Sequence, residues 1–344
     1  MALIRPISKA SRTQGDNRSE HMTLPISDLY ESRYEREAAI VVRREPVVHQ
    51  DESFNAPRPL SPELLQEYLQ NGFLLLPGLF SQKEIAALNG EVESLASEPN
   101  IRKRQECIIE PESNAVRSIF MVHKLNRMME QLSCDRRLVD IARQVLASDV
   151  YLHQTRVNLK PGFEGKEFYW HSDFETWHIE DGMPEMRAIS FSILLTDNTV
   201  FNGPLMVISG SHQYFISCIG ETPEENFRQS LQRQQFGVPD HDSLKMLCTL
   251  GGIRSMTGPP GTVVMFDCNI MHGSYGNISP YPRHNIFFVY NSVHNALHDP
   301  RYGLQPRPEH IAARDSISPI KPIMCDFSEG LSFDDPKIQR IRRA

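Results

Sequence analysis

His171 and Asp173 stand two residues apart in the run FYWHSDFETWHIEDGMP, residues 168–184, which also holds both tryptophans of the chain, a second histidine and three more carboxylates. In an extended segment successive side chains alternate between faces, so His171 and Asp173 would project to the same side, with Ser172 turned away. An imidazole and a carboxylate so placed can share one metal ion. The third donor must come from elsewhere, and His272 in NIMHGSYGN, just past the strand-like GTVVMFD, is the best candidate. Two histidines and one carboxylate suit Fe(II) and leave three coordination positions open, whereas zinc more often takes a closed tetrahedron or keeps one open site. An HxD alone is a weak signal. Arg283, eleven residues after His272, strengthens it. Its planar fork matches a carboxylate. In isolation Arg283 reads as a surface ion pair; with this ligand set it reads as the partner for the far end of a dicarboxylic cosubstrate that chelates the metal at its near end.

The elements that must carry these residues follow from periodicity and capping. SPELLQEYLQNG has a Ser cap, a Pro at the first helical position and a closing Gly72, which predicts a helix. FLLLPG reads as a short buried strand, and SQKEIAALNGEVESLAS starts with a capping box of Ser81 and Glu84. A further helix is expected from Asp135 to Leu146, with Leu138, Ile141, Ala142 and Val145 on one face. Beyond it the texture changes to strands: VYLHQTRVNLKPG from Val150, then Ala188 to Asp197, Gly203 to His212, Gly261 to Asp267 and Asn285 to Val293. ETPEENFRQSLQRQQFG interrupts them as a polar, partly helical insert. The expected architecture is mainly β with flanking helices, an antiparallel barrel or sandwich.

An HxD, a distant histidine and an arginine about ten residues further on resemble the 2-oxoglutarate-dependent non-haem iron dioxygenases. NGFLLLPGLFSQKEI and NGPLMVISGSH are similar to segments of the phytanoyl-CoA dioxygenase superfamily, and FYWHSDFETWHIEDGMPEMRA resembles the signature of its ectoine hydroxylases. The resemblance spans roughly residues 28–299. It implies a double-stranded β-helix (jelly roll, cupin-like) with Fe(2+) held by His171, Asp173 and His272, O2 and 2-oxoglutarate as further reactants, and Arg283 on the distal carboxylate. It implies ectoine as the substrate, 5-hydroxyectoine as the product of this osmoprotective, stress-related step, and a homodimer. Because Asp173 is present, hydroxylation is expected rather than halogenation.

The same likeness points to Gln154 and Trp177 as substrate contacts. Trp177 would continue the alternation from His171 and Asp173 if the strand runs that far, and its face could hold a delocalised cation, worth about 0.5–2 kcal/mol. Arg156 is placed to face an acidic group of substrate or cosubstrate, and Lys160 is a candidate neighbour of the cosubstrate. Phe266 and Phe288 are candidate walls, although a strand phenylalanine is as readily core. Glu175 reads as a supporting or structural carboxylate, EDGMP as a turn, and Trp170 as core. His178 breaks the two-residue period as a ligand, and His212 reads as part of a turn.

Bulk properties narrow the classes. The 344 residues are 40% hydrophobic and 23% charged, with a formal net charge of −7. No basic stripe calls for nucleic acid, and no apolar run approaches the roughly 20 residues that cross a bilayer. Six scattered cysteines without a CxxC pair fit reduced thiols and a cytoplasmic setting. Residues 1–58 are expected to be an arm, with about the first 21 disordered; 59–300 the oxygenase domain; and 301–344 a C-terminal extension. Competing readings keep the enzyme class with proline or another small amino-acid-like substrate, or make the barrel a non-enzymatic metal or 2-oxoglutarate sensor.

Overall fold

Helix signals in the sequence are met where capping chemistry is explicit. In the computed structural model, α1 (Pro62–Asn71) has Ser61 as its cap, with the Ser61 side chain accepting from the Leu64 amide, and ends on Gly72 at φ 79°. The capping box of α2 (Gln82–Ser97) is complete: Ser81 and Glu84 satisfy each other's amides. The short α3 (Pro99–Arg102), α4 (Val122–Leu125) and α5 (Arg127–Ser133) precede α6 (Arg136–Leu146), which is capped by Asp135 and buries Leu138, Ile141, Ala142 and Val145. Residues 28–33, 38–110, 113–220, 222–223, 226 and 237–328 are described. The expected disorder of the first 21 residues, most of the polar insert near residues 221–236 and the end of the C-terminal extension lie outside them.

Among the described residues every pairing between strands is antiparallel, as the sequence texture implied. A seven-stranded sheet runs in the order β2 (Phe73–Leu76), β11 (Val263–Asp267), β7 (Ala188–Leu194), β13 (Arg283–Ser292), β5 (Val150–Lys160), β4 (Val116–Phe120) and β3 (Cys107–Ile109). Facing it is a four-stranded sheet in the order β10 (Ile253–Ser255), β8 (Met206–Ile208), β12 (His272–Ser274) and β6 (Phe168–His171). β1 (Ile40–Val42) pairs with β9 (Tyr214–Ile216), which ties the N-terminal arm to the barrel. The stretch expected as a strand from Gly203 to His212 forms one only over its central three residues. Two further helices among the described residues are α7 (Asp173–Asp181) and α8 (His241–Gly251).

Alternation along the large sheet separates two chemistries. One face packs on the helices: Phe191 and Ile193 of β7, Val263 and Met265 of β11, and Ile286, Phe288 and Tyr290 of β13 join the main core with Leu138, Ile141 and Val145 of α6. The other face points between the sheets, where Leu194, Val264, Phe266 and Phe287 meet Val207 of the smaller sheet. On β5 the register shifts between Val289 and Tyr290 of its partner, so His153 is bulged. Past that bulge Gln154, Arg156, Asn158 and Lys160 form an even-numbered row. Arg156, Asn158 and Lys160 line the cavity between the sheets.

Candidate active site

The metal-binding donors converge, but by a different local geometry from the one alternation implies. β6 ends at His171, Ser172 caps a helix through the Glu175 amide, and Asp173 is the first residue of α7. The two-residue strand period therefore does not place Asp173; a strand-to-helix turn does. His272 sits opposite His171 in the β12–β6 register. Asp173 Oδ1 lies 3.7 Å from His171 Nε2 and 3.9 Å from His272 Nε2. All three donor atoms fall within 4.8 Å of one another, and all three residues are buried.

Protonation states fit ligation. His171 Nδ1 lies 2.8 Å from the Tyr169 carbonyl and His272 Nδ1 lies 3.0 Å from the Ile270 carbonyl. A carbonyl can only accept, so each Nδ1 carries the proton and each Nε2 lone pair faces the shared point. Burial pushes the His272 imidazolium down to about 4, which keeps that ring neutral. For Asp173 burial acts upward, but the His272 and His171 rings and the Arg156 guanidinium outweigh it and hold the carboxyl well below the usual carboxylate range. Two imidazoles and one carboxylate on one face match a ferrous ion with open positions.

Beside this triad runs a cavity lined by Arg117, Arg156, Lys160, Arg283, Phe168 and Phe287 among others, and by His171 and His272 at its inner end. Its polar wall is cationic. Nε of Arg283 and Nε of Arg156 are both buried without a hydrogen-bond partner among the described residues. Burial and the nearby Arg117 push the Arg283 guanidinium down to about 10. Burial, Arg283 and Arg117 push the Lys160 ammonium down to about 6, while its amine donates to Ser274 Oγ at 3.0 Å and to the Tyr275 carbonyl at 2.6 Å. Arg117 is the exception, because Glu110 pairs with it at 2.6 Å. Buried donors left unpaired are costly; a dianion of cavity size would satisfy several at once. Arg283, Arg156 and Lys160 are thus brought together on one wall.

The expected substrate contacts divide. Gln154 lies near the cavity row, its amide donating to the Ile311 carbonyl at 2.7 Å and its oxygen accepting from Arg156 at 3.0 Å. The Phe266 ring is 5.4 Å from the His272 ring, so it does flank the triad. Phe288 does not: it turns into the helix-packed core, and its neighbour Phe287 lines the cavity and sits 5.0 Å below the Arg156 guanidinium. Strand parity decides this, since Arg283 and Phe287 share a face that excludes residue 288. Trp177 is on α7, not on a strand. It still projects with Asp173, because residues four apart share a helix face. Its ring meets His153 edge-on at 4.8 Å, and it packs with Phe174, Met183 and Tyr30.

Arg117 and Phe287 were missed by sequence reasoning; the parity of β13 could have found the second, whereas Arg117 carries no local signal. EDGMP is the end of α7 and its Gly182 cap, at φ 71°, and Glu180 and Asp181 are buried rather than at a solvent edge. Each carboxylate of α7 beyond Asp173 has an arginine from a distant segment. Arg33 pairs with Glu175 and Glu180, and Arg307 with Asp181. His178 pairs with Asp28 at 3.0 Å, and His212 lies against the Leu69 carbonyl. Trp170 is part-buried against the cluster around Ile208 and Met271.

Known proteins are similar to this chain in sequence and fold. The profile of the phytanoyl-CoA dioxygenase family (PhyH) matches residues 68–285. The ectoine dioxygenase of Bordetella bronchiseptica is 57% identical over 302 residues, which cover 88% of this chain and 97% of the relative. That of Halomonas elongata is 46% identical over 301 residues, 87% of this chain and 90% of its own length. A crystal structure of EctD from Sphingopyxis alaskensis with 2-oxoglutarate and 5-hydroxyectoine superposes with a TM-score of 0.77 at 44% identity, covering 87% of this chain and 99% of that one. At 18% identity, the carbocyclase SnoK of nogalamycin biosynthesis shares the fold with a TM-score of 0.54.

Proposed function

We propose that this chain, which belongs to the phytanoyl-CoA dioxygenase family, is an Fe(II)- and 2-oxoglutarate-dependent dioxygenase that hydroxylates ectoine to 5-hydroxyectoine. The observation that carries the reading is the buried triad of His171, Asp173 and His272 at the inner end of a cationic cavity. When bound there, ferrous iron with dioxygen and 2-oxoglutarate supplies the oxidant that converts one C–H bond to C–OH, while 2-oxoglutarate leaves as succinate and CO2. The residues of the chain do the rest. His171, Asp173 and His272 hold the metal on one face. Arg283, with Lys160 and Arg156 beside it, takes the carboxylates of 2-oxoglutarate and sets which end reaches the metal. Phe287 and Phe168 close the cavity against water. Trp177 and Gln154 hold ectoine on the far side of Asp173, with Phe266 flanking. Purified protein supplied with Fe(II), 2-oxoglutarate and ectoine should release succinate and 5-hydroxyectoine together; succinate release that ignores ectoine, or follows proline instead, contradicts the assignment.

Lys160 makes the cosubstrate assignment testable by pH. Its folded value of about 6 lies below that of an unfolded lysine, about 10.4. Between the two the unfolded chain binds the extra proton, so this group's contribution to stability rises with pH from about 6 upward. A dicarboxylate beside it favours the ammonium, so binding of 2-oxoglutarate at pH 8 should take up protons. Calorimetry in two buffers of different ionisation enthalpy should reveal that uptake, and Lys160→Met should remove it. No uptake in the unsubstituted protein would place the dianion away from Lys160.

Trp177→Leu tests the substrate side. Leucine keeps apolar volume in a packed cluster and limits the cavity formed, but it removes the aromatic face. KM for ectoine should rise about two- to thirty-fold, in line with a cation–π contribution of about 0.5–2 kcal/mol, with KM for 2-oxoglutarate unchanged. Equal rises would assign Trp177 to packing. The reading also places the protein as a homodimer in a reducing cytoplasm; the support for the second part is six cysteines, none of them in a disulfide. Among the described residues no helix is long and apolar enough to cross a membrane.

A further inference from the structure

We propose that Arg33, in the N-terminal arm, is a positioning residue for the reaction: it grips α7 between Asp173 and Trp177 and thereby sets the metal carboxylate and the substrate wall at once. The inference rests on the oxygenase reading above, and its test separates the two.

Arg33 is 2% exposed, yet it comes from a segment 142 residues away from the helix it holds. Its Nε donates to Glu175 Oε1 at 2.9 Å and its Nη2 to Glu175 Oε2 at 2.7 Å, a two-pronged pair. Nη2 also donates to Thr176 Oγ1 at 3.0 Å, and Nη1 donates to Thr222 Oγ1 at 3.0 Å and to Glu180. All five donors of the guanidinium therefore serve this cluster or lie in it. Ser32 adds a hydrogen bond to Glu175 Oε1 at 2.6 Å, and its hydroxyl accepts from the Cys218 amide. The Arg33 amide donates to the Cys218 carbonyl at 2.8 Å. Gly237 completes the enclosure, because a Cβ there would come within 2.6 Å of both Arg33 Nη2 and Glu175 Oε2.

Glu175 sits two residues after Asp173 and two before Trp177. On a helix of barely more than two turns, fixing that residue fixes the rotation of both neighbours. Among the described residues, the start of α7 has two other hydrogen-bonded anchors to the barrel: Ser172 Oγ to Asn269 at 2.9 Å and the Phe174 amide to the Cys268 carbonyl at 2.8 Å. Both lie on the side of the His272 loop. Arg33 holds the opposite side, and Arg307 secures the far end through Asp181. Burial opposes the Arg33 charge, but Glu175 and Glu180 outweigh it and hold the guanidinium above its ordinary range, so it is a permanent cation. A misplacement of about 1 Å at a reacting centre can cost about 100-fold in rate.

The test uses the full chain with Arg33→Lys, which keeps the charge and loses the fork, and Arg33→Met with Glu175→Gln and Glu180→Gln, which leaves no buried charge unpaired. Three readouts are taken: melting temperature, Fe(II) affinity by anaerobic chelator competition, and the ratio of succinate to hydroxylated product. Both variants are expected to fold, to bind Fe(II) about tenfold or more weakly, and to make succinate in at least about threefold excess over product, with KM for 2-oxoglutarate unchanged. A purely structural role would lower the melting temperature and leave the ratio at the unsubstituted value. That result in Arg33→Lys, or restored iron affinity and ratio in the triple variant, would overturn the proposal. Should the unsubstituted protein hydroxylate no ectoine, the substrate reading fails while the iron affinities still decide the role of Arg33.

Discussion

Asp173→Ala is expected to leave the fold standing and to lower ectoine hydroxylation by more than about 100-fold. Loss of a partner outside the ligand set already costs about 10–100-fold in metal affinity or activity, so loss of one of three ligands must exceed it. The fold should survive because the carboxylate is buried, carries the desolvation cost of a charge, and starts α7 without serving as its cap; that role belongs to Ser172. Removing it takes away a buried anion whose charge is held by the metal-site imidazoles and Arg156. Circular dichroism and melting temperature in the presence of chelator should stay close to those of the unsubstituted protein, while anaerobic iron binding is lost. Turnover within a few-fold of normal would remove Asp173 from the metal site.

Arg283→Ala should raise KM for 2-oxoglutarate about ten- to one-hundred-fold and leave KM for ectoine nearly unchanged. A charge-assisted hydrogen bond contributes about 1.5–3 kcal/mol, and about 1.4 kcal/mol is tenfold. The local electrostatics add a sharper expectation. Arg283 is buried, its Nε has no partner, and Arg117 is the charge that presses on it. Deleting it removes a strained cation, so the melting temperature without 2-oxoglutarate should hold or rise. The gain in melting temperature on adding 2-oxoglutarate should shrink, since that gain scales with affinity. A variant that loses stability without ligand, or one in which only the ectoine requirement changes, would assign Arg283 to structure or to the substrate.

Much of this was legible from residue types and spacing because the signals are local. Ser61 with Pro62 and Gly72, and Ser81 with Glu84, mark helix ends by chemistry that acts within four residues. The alternation of β7, β11 and β13 shows which sheet face meets helices. The triad itself was readable as a set of ligand types, although the geometry assumed for it was not the one adopted. Ser172 followed by Glu175 is the same Ser-to-Glu signal that opens α2, and it marks the start of α7 where an extended reading continued the strand. Trp177 kept its direction only because the helix period of four and the strand period of two coincide there. Phe288 was a parity error: with Arg283 facing the cavity, residues 285 and 287 face it too. The partners of the buried carboxylates were out of reach. Arg33, Arg307 and Arg117 meet Glu175, Asp181 and the cavity through tertiary closure over long separations, and no local pattern encodes that.

The concentration of carboxylates and tryptophans in one short run has a physical account. α7 is a buried helix whose acidic side chains are neutralised from both ends of the chain, by Arg33 before the barrel and Arg307 after it. Burying an unpaired charge is costly, and breaking one of these pairs should be more damaging than replacing it whole. The helix can then present one carboxylate, Asp173, to a metal; among the described residues no arginine lies at hydrogen-bonding distance from it.

The most direct measurement is a single-turnover experiment. Protein is loaded anaerobically with one equivalent of Fe(II), excess 2-oxoglutarate and ectoine, then exposed to dioxygen and quenched. The account predicts one succinate and one 5-hydroxyectoine per iron, with neither formed by Asp173→Ala or by His272→Ala. Product formation of normal extent in either variant, or succinate without hydroxylated ectoine in the unsubstituted protein, would contradict it.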